Sequence, residues 1–295
     1  MRDGYATAVP RLGVVALAAL AAVAALLLAG GASAAQEGPR APDRPLTAMS
    51  YNIHHGADAE ENLDLDRIAE EIRRQDPGIV GLQEVDRHWS ARSDFEDQAR
   101  ELAAELDMHY VYGANLDREP AEPGQPRRQY GTAILSEYPI LQSANTPLPR
   151  PEGGEQRGLL EALVNVRGVP VRVYNTHLQH DSAVERSAQV EAIMQRVGEF
   201  EEPTLLLGDL NARPEAPELA PFFTRFDDAW VEGGSGPGYT ISPAAPYARI
   251  DYALVSPDIA VTRARVPRTL ASDHLPVVAE LLVPGESVGV GRRGE

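Results

Sequence analysis

Six stretches of this chain end or begin an apolar segment with a group able to hold a cation, move a proton or touch a phosphate. They are Asn52 in "SYNIHHG", Glu84 in "IVGLQEVD", His177 in "VYNTHLQH", Asp209 and Asn211 in "LLLGDLNARP", Asp251 in "RIDYALVS", and Asp273 with His274 in "ASDHLPVVAEL". Taken singly, each has a plain explanation: Asp and Asn turn a chain, and a strand-end Glu is commonly just solvated. Six strand ends carrying carboxylate, amide or imidazole are hard to explain as independent turns. Asn52, Glu84, Asp209, Asn211 and Asp273 offer oxygen and no sulfur, a donor set that suits Mg²⁺, Mn²⁺ or Ca²⁺ better than zinc. His177 and His274, each with a carboxylate at hand, suit proton transfer and contact with a phosphoryl oxygen.

Other chemistries drop out by residue type. The chain has no cysteine, which removes disulfides, thiolate metal sites and a cysteine nucleophile. All 27 basic residues are arginine, which removes Schiff-base chemistry and a phosphate-loop lysine. No HExxH spacing suggests a zinc peptidase, and no GxSxG elbow accompanies Ser272 to suggest a serine hydrolase.

The elements that must position these groups follow from periodicity. "LTAMSYNI" and "GIVGLQEV" read as strands separated by the helix "LDRIAEEIRRQ", whose Leu65, Ile68, Ala69 and Ile72 form one apolar stripe. A second helix is expected over "DFEDQARELAAEL" with Asp94 as N-cap. Strands are expected at "MHYVYGAN", "YGTAILS", "LLEALVNV" and "VRVYNTHL", the last two joined by an Arg167-Gly168 turn. A third helix, Ser182 to Phe200, precedes the strand that ends in Asp209, and strands near Ile250–Val255 and Leu275–Leu282 close the body. Strands leaving one rim and strands entering from it are antiparallel, so a mixed sheet would gather all the polar groups at one edge. Tyr51-Asn52-Ile53-His54 and Tyr174-Asn175-Thr176-His177 also look like a short internal repeat, with Asn and His on one face of each strand.

A net charge of −17 opposes general polyanion binding, because nucleic-acid affinity comes mostly from phosphate neutralisation by basic residues. It leaves open a nuclease that meets its substrate at a cation-loaded cleft. Arg127, Arg128 and Arg157 are candidates for a local anion-binding patch, solvated surface arginines being the plainer reading.

In this order, "MSYNIHHG", "IVGLQEVD", "YGTAILSEYPI", "VYNTHLQH", "LLLGDLNARP", "RIDYALVSP" and "SDHLPVVAEL" resemble the endonuclease/exonuclease/phosphatase superfamily of metal-dependent, DNase I-like phosphoesterases. The resemblance implies an α/β fold, a four-layer αββα sandwich of two mixed sheets, and phosphoester hydrolysis by water activated at Mg²⁺ or Mn²⁺. It implies Glu84 as principal metal ligand, with Asn52 and Asp273 beside it. Asp209 and Asn211 resemble the pair that activates and orients water. His274, oriented by Asp251, resembles the histidine on the scissile phosphate, and His177 the second active-site histidine. Two departures stand out: Thr132 where the family often has Asn, and Leu210 where it often has Phe.

The substrate is expected to be a small or lipid-derived phosphoester, a lipid head group at a membrane included, handled by a monomer. The alternatives are an endonuclease and a non-catalytic binding domain. The latter should lack Asp209, Asn211 or His274, and all three are present. Residues 1–35 read as a secretory signal, from the apolar run Val14–Ala29 and the Ala32-Ser33-Ala34 cleavage motif, with an uncleaved anchor as alternative. Residues 36–45 read as a linker, 46–283 as the catalytic domain and 284–295 as a frayed tail.

Overall fold

Strand alternation sorts the apolar residues of this chain into three layers. The computed structural model describes residues 41–285 together with Met1 and Gly4. The signal segment apart from Met1 and Gly4, half of the linker and all but two residues of the tail lie outside the described residues.

β1 (Arg44–Asn52), β2 (Ile79–Arg87), β3 (His109–Arg118), β4 (Arg128–Ser136), β11 (Ala260–Arg265) and β12 (Val277–Val283) form one sheet, in the order β11-β12-β1-β2-β4-β3. β5 (Ile140–Pro147), β6 (Gly158–Val166), β7 (Val169–His177), β8 (Thr204–Asp209), β9 (Asp227–Asp228) and β10 (Asp251–Val255) form the other, in the order β5-β6-β7-β8-β10-β9. Both sheets are mixed. β1 runs parallel to β2 and antiparallel to β12, while β7 runs parallel to β8, which pairs antiparallel with β10.

Leu46 and Ala48 of β1, Val171 and Val173 of β7, Leu205 and Leu207 of β8, and Ala279 and Leu281 of β12 fill the layer between the sheets. The alternate residues Met49, Tyr51, Val80 and Leu82 pack instead with Ile68 and Ile72 of α1 (Leu65–Gln75) and Leu102 of α2 (Gln98–Leu106). On the far side, Tyr174, Leu206 and Leu254 pack with Val190 and Ile193 of α3 (Ala183–Val197) and with Phe222 of the short α4 (Ala220–Phe223). The result is the expected four-layer α/β sandwich. A further short helix, α5 (Ala229–Gly233), contributes Ala229 to the layer between the sheets.

The sheets meet closely because Gly81 has no side chain. A Cβ there would lie 2.9 Å from the Cβ of Leu207 and 3.0 Å from Oδ1 of Asn175. Directly above, Asn175 ties the sheets together. Its Nδ2 donates to the carbonyls of Leu82 and Ala133 at 2.8 Å each, and its Oδ1 accepts from Nε2 of Gln83 at 2.7 Å. These are buried groups, so leaving them unpaired would cost about 1–3 kcal/mol each.

The helix caps are side chains bonding to the first turn: Asp64 for α1, Asp97 for α2 and Ser182 for α3. Asp97, not Asp94, therefore starts the second helix. Asp94 closes the preceding 3-10 turn in the left-handed conformation. β5 and β11 are edge strands not anticipated in the sequence; "ILQSANTP" is largely exposed and lacks apolar alternation. β1 takes in Arg44 and Pro45, two residues that the sequence reading gives to the linker.

The repeat of four residues is only partly structural. Both sheets place a parallel strand–helix–strand unit at their centre, β1-α1-β2 and β7-α3-β8. In β7, Asn175 and His177 do share a face. In the first unit β1 stops at Asn52, and His54 lies outside it in a 3-10 turn.

Candidate active site

The layer between the sheets opens at one end, and the polar groups stand there because of strand parity. Asn52 has the parity of Leu46 and Ala48, His177 that of Val171 and Val173, Asp209 that of Leu205 and Leu207, and Asp251 that of Ala253 and Val255. The apolar layer thus continues outward into its own polar cap.

Glu84 reaches this cap by a different route. Strict alternation would send it to the helix side with Val80 and Leu82. The β2–β4 register shifts between Leu82 and Val85, and Glu84 adopts φ 58°. This bulge adds a residue, returns Val85 to the helix side and turns Glu84 toward Asn52. Glu84 is consequently a mid-strand bulge residue of β2, which runs on to Arg87, and not a residue at the strand's exit. Left-handed backbone at a non-glycine residue costs free energy, and Asn211 (φ 51°), His54 (φ 46°) and His55 (φ 45°) share it.

Asp209 is the hub. Its Oδ2 lies 3.1 Å from Nδ2 of Asn52, 3.5 Å from Nε2 of His177 and 3.8 Å from Nε2 of His274. Its Oδ1 accepts the backbone N–H of Asn211 at 2.9 Å, and Nδ2 of Asn211 donates to the carbonyl of Leu178. Asn52 also donates to Oε1 of Glu84 at 2.9 Å, while its own Oδ1 takes the N–H of His54. As seated, Asn52 presents hydrogens and not its oxygen to the two carboxylates.

The two histidines are held in opposite states. Nδ1 of His274 lies 2.9 Å from Oδ2 of Asp251, so that nitrogen carries the hydrogen. Burial alone would lower the pKa of His274, but the charges of Asp251 and Asp209 outweigh it and hold it well above the ordinary value. His274 is therefore a cation whose Nε2–H faces Asp209. Nδ1 of His177 instead lies 3.0 Å from Nη1 of Arg157. Arginine can only donate, so Nδ1 accepts and Nε2 carries the hydrogen. Burial, then the charges of Arg157 and His274, push the pKa of His177 well below its ordinary value. It is a neutral donor. Asp209, buried and opposite Asp251, is pushed up to about 7, burial being the larger cause.

Asp273 is the outlying member. It is 31% exposed at the side chain, with Oδ1 3.9 Å from Nδ1 of His54. Ser272 pins this segment to β1, its Oγ lying 2.8 Å from the carbonyl of Asn52 and accepting the N–H of His274.

Sequence reasoning missed the roles of Gln179, Ser272 and the pair His54-His55, and it offered Arg157 only as one of a surface anion-binding patch. Arg157 is not part of a surface patch. It is 4% exposed and bonds His177 and Gln179, whereas Arg127 is exposed and pairs with Asp117 and Glu119, and the half-buried Arg128 donates to the carbonyl of Glu119. The available signal was position, because Arg157 directly precedes the strand that pairs with β7. Thr132 is fully buried, its hydroxyl without a partner, and Leu210 is fully buried among the apolar side chains packed under α3.

The donor set fits a divalent cation. Glu84 is a half-buried carboxylate on a strained bulge, with no ion pair among the described residues to balance its charge. Glu84 would hold the ion, with Asn52 and Asp273 beside it. Asp209, Asp251 and His274 also bring ligand atoms within 4.8 Å of one another, but the Asp251–His274 contact there is that of a donor and an acceptor.

The chain is similar to known proteins over most of its length. A crystal structure of an endonuclease/exonuclease/phosphatase from Beutenbergia cavernae DSM 12333 superposes with TM-score 0.70 at 29% identity, covering 82% of this chain and 72% of that one. A mannosyl-6-phosphatase of Bacteroides thetaiotaomicron VPI-5482 shares the fold, with TM-score 0.64 at 19% identity over 80% of this chain and 99% of that one. Protein cwh43 of Schizosaccharomyces pombe is 30% identical over 172 residues, 58% of this chain but only 17% of that much longer protein. A model of the Endonuclease/Exonuclease/phosphatase family matches residues 49–274, from within β1 to His274. The chain belongs to that family, whose members are metal-dependent hydrolases of phosphoester bonds.

Proposed function

We propose that the protein hydrolyses a small or lipid-derived phosphoester, with Mg²⁺ or Mn²⁺ at Glu84 and water activated at Asp209. The observation that carries this reading is the convergence of Asn52, His177 and His274 on one oxygen of Asp209. A divalent cation at such a site polarises a phosphoryl oxygen and lowers the pKa of water.

The chain's own residues take the other roles. Asp209, whose basicity is raised by burial, accepts the proton of the attacking water, and Asn211 fixes the carboxylate through its N–H. His274, kept cationic by Asp251, donates from Nε2 to the phosphoryl oxygens, where negative charge develops. His177 adds a second, neutral donor. Asn52 holds Glu84 and Asp209 in one geometry. The strongly acidic balance of the chain supports a small substrate over a polynucleotide.

The test is a substrate panel of plasmid DNA, RNA, sphingomyelin, phosphatidylinositol phosphates and sugar phosphates, with Mg²⁺ and with EDTA, at two salt concentrations. We expect turnover of a small or lipid phosphoester that EDTA abolishes and that changes little with salt. An enzyme contacting several backbone phosphates would lose apparent affinity steeply as salt rises. Salt-sensitive cleavage of duplex DNA with no turnover of the small substrates would establish the endonuclease instead.

We also propose that residues 1–35 direct export and are removed, leaving 36–43 as a tether and 44–283, from the start of β1, as the catalytic domain of a monomer. The support is the short apolar run ahead of Ala32-Ser33-Ala34. N-terminal sequencing of the protein from culture medium should begin near Gln36, and a cell-bound product beginning at Met1 would establish an anchor.

A further inference from the structure

His54 and His55 take no part in the roles above, yet the fold holds them in place at a cost. Both lie in the 3-10 turn after β1 with left-handed backbone, φ 46° and 45°. Hydrogen bonds fix the turn: Gly56 N–H to the Ile53 carbonyl at 2.8 Å, Ala57 N–H to the His54 carbonyl at 2.9 Å, and Nε2 of Gln98 to the His55 carbonyl at 2.6 Å. The two rings stand edge to face, 4.5 Å apart.

Their nitrogens are arranged as metal ligands are. Nδ1 of His54 lies 3.3 Å from the carbonyl oxygen of Asp58, which can only accept, so Nδ1 carries the hydrogen. In the neutral ring Nε2 is then a lone pair, and it faces Oε1 of Glu61 at 3.6 Å, acceptor against acceptor. His55 is 4% exposed. Its Nε2 lies 3.3 Å from Oε2 of Glu61, while its Nδ1 is buried with no partner. A histidine that donates one nitrogen to a carboxylate or carbonyl and leaves the other bare is the usual preparation of a metal ligand. One ring nitrogen of each histidine and a carboxylate oxygen of Glu84 lie within 4.8 Å of one another.

We propose that His54, His55 and Glu84, with Glu61 at the rim, form a nitrogen-bearing site for a first-row transition ion of the Mn²⁺ to Zn²⁺ range, separate from the group centred on Asp209. The proposal rests on the reading of Glu84 as a cation ligand. Imidazole nitrogen distinguishes the site from one for Mg²⁺, which takes oxygen ligands almost exclusively. A cation between His54 Nε2 and the Glu61 and Glu84 carboxylates also removes the acceptor-to-acceptor contact.

The test uses the full chain loaded with Mn²⁺, read by pulsed electron paramagnetic resonance for ¹⁴N coupling, together with calorimetric titration of Zn²⁺. Wild-type protein is expected to show the coupling, and His54→Ala and His55→Ala to lose it and bind Zn²⁺ at least about tenfold more weakly. Should either variant fail to fold, wild-type protein alone decides, because Mn²⁺ without nitrogen coupling overturns the proposal. Coupling that survives both substitutions but vanishes in His274→Ala places the nitrogen elsewhere and overturns it as well. Activity that needs a divalent ion, with Mn²⁺ bound only by oxygen, refutes the nitrogen site and leaves the hydrolase reading standing. A simple His54–Glu61 ion pair would show neither the coupling nor the loss of Zn²⁺ affinity.

Discussion

Replacing Asp209 by Asn is expected to lower turnover by on the order of 10²-fold or more without lowering the melting temperature of the metal-free protein at pH 8. The substitution keeps the shape of the side chain and removes its charge and its capacity to take a proton. If Asp209 merely turned the chain after β8, the pattern would be reversed, with stability lost by about 1 kcal/mol and turnover per folded molecule intact. The direction of the stability change follows from the raised pKa. The native carboxyl binds its proton up to about pH 7, and the unfolded one only to about its ordinary value of 3.8. Native protein therefore binds more protons than unfolded protein across that window, and stability falls as pH rises through it. Above pH 7 the buried carboxylate carries its charge beside Asp251, a cost that His274 and the hydrogen bonds from Asn52 and Asn211 offset only in part. The midpoint of Asp209→Asn relative to wild type should accordingly be more favourable at pH 8 than at pH 5, by on the order of 3 °C. Turnover number with Mg²⁺ present, and thermal midpoint without metal at the two pH values, measured for both proteins, decide the matter. Near-normal turnover in Asp209→Asn would sink the assignment.

Asp251→Asn should be comparably damaging, and through a different group. Asp251 is what keeps His274 charged, against the burial that would otherwise neutralise it. The folded pKa of His274 lies above its unfolded value, so the stability contributed by the pair is fully present below about pH 6.5. It is lost as pH rises through the raised native value. With an amide at 251, the imidazolium loses its nearest counter-charge and the alkaline limb of turnover should move to lower pH by at least about one unit. Turnover at pH 8 should fall by about 10²-fold, since a cationic donor to the phosphoryl oxygens is lost. A pH–rate profile of Asp251→Asn beside wild type is the measurement. An alkaline limb that stays in place with full turnover would show that His274 does not act as a cation.

The parts of this molecule that could be read from sequence are those governed by a simple period. α1 follows its apolar stripe from Leu65 to Gln75, and Asp209, His177 and Asp251 carry the parity of the apolar residues beside them. What escaped reading are departures from period. Glu84 sits correctly only because a positive-φ bulge breaks the alternation of β2, and no pattern of apolar residues encodes a bulge. Arg157 reads as one more surface arginine until the β6–β7 pairing carries it beside His177. β5 packs a single sheet edge with a polar sequence, so its strand character comes from its partner β6 and not from itself. His54 and His55 were hidden by the assumption that β1 continues past Asn52.

The pairing of β1 with β12 joins Arg44 to Val283 at one end and Ser50 to Val277 at the other, the first strand of the body with its last. On a ribosome, β1 emerges early and must wait for almost the whole chain before its partner exists. Ser272 and His274 arrive in that same final stretch, and Ser272 closes directly onto the carbonyl of Asn52. The chain therefore has no His274–Asp251 pair, and no finished first sheet, until β12 has been made. A hydrolase built in this order stays latent until that strand is in place, and any truncation before β12 yields an inert chain with a bare sheet edge instead of a partly active enzyme.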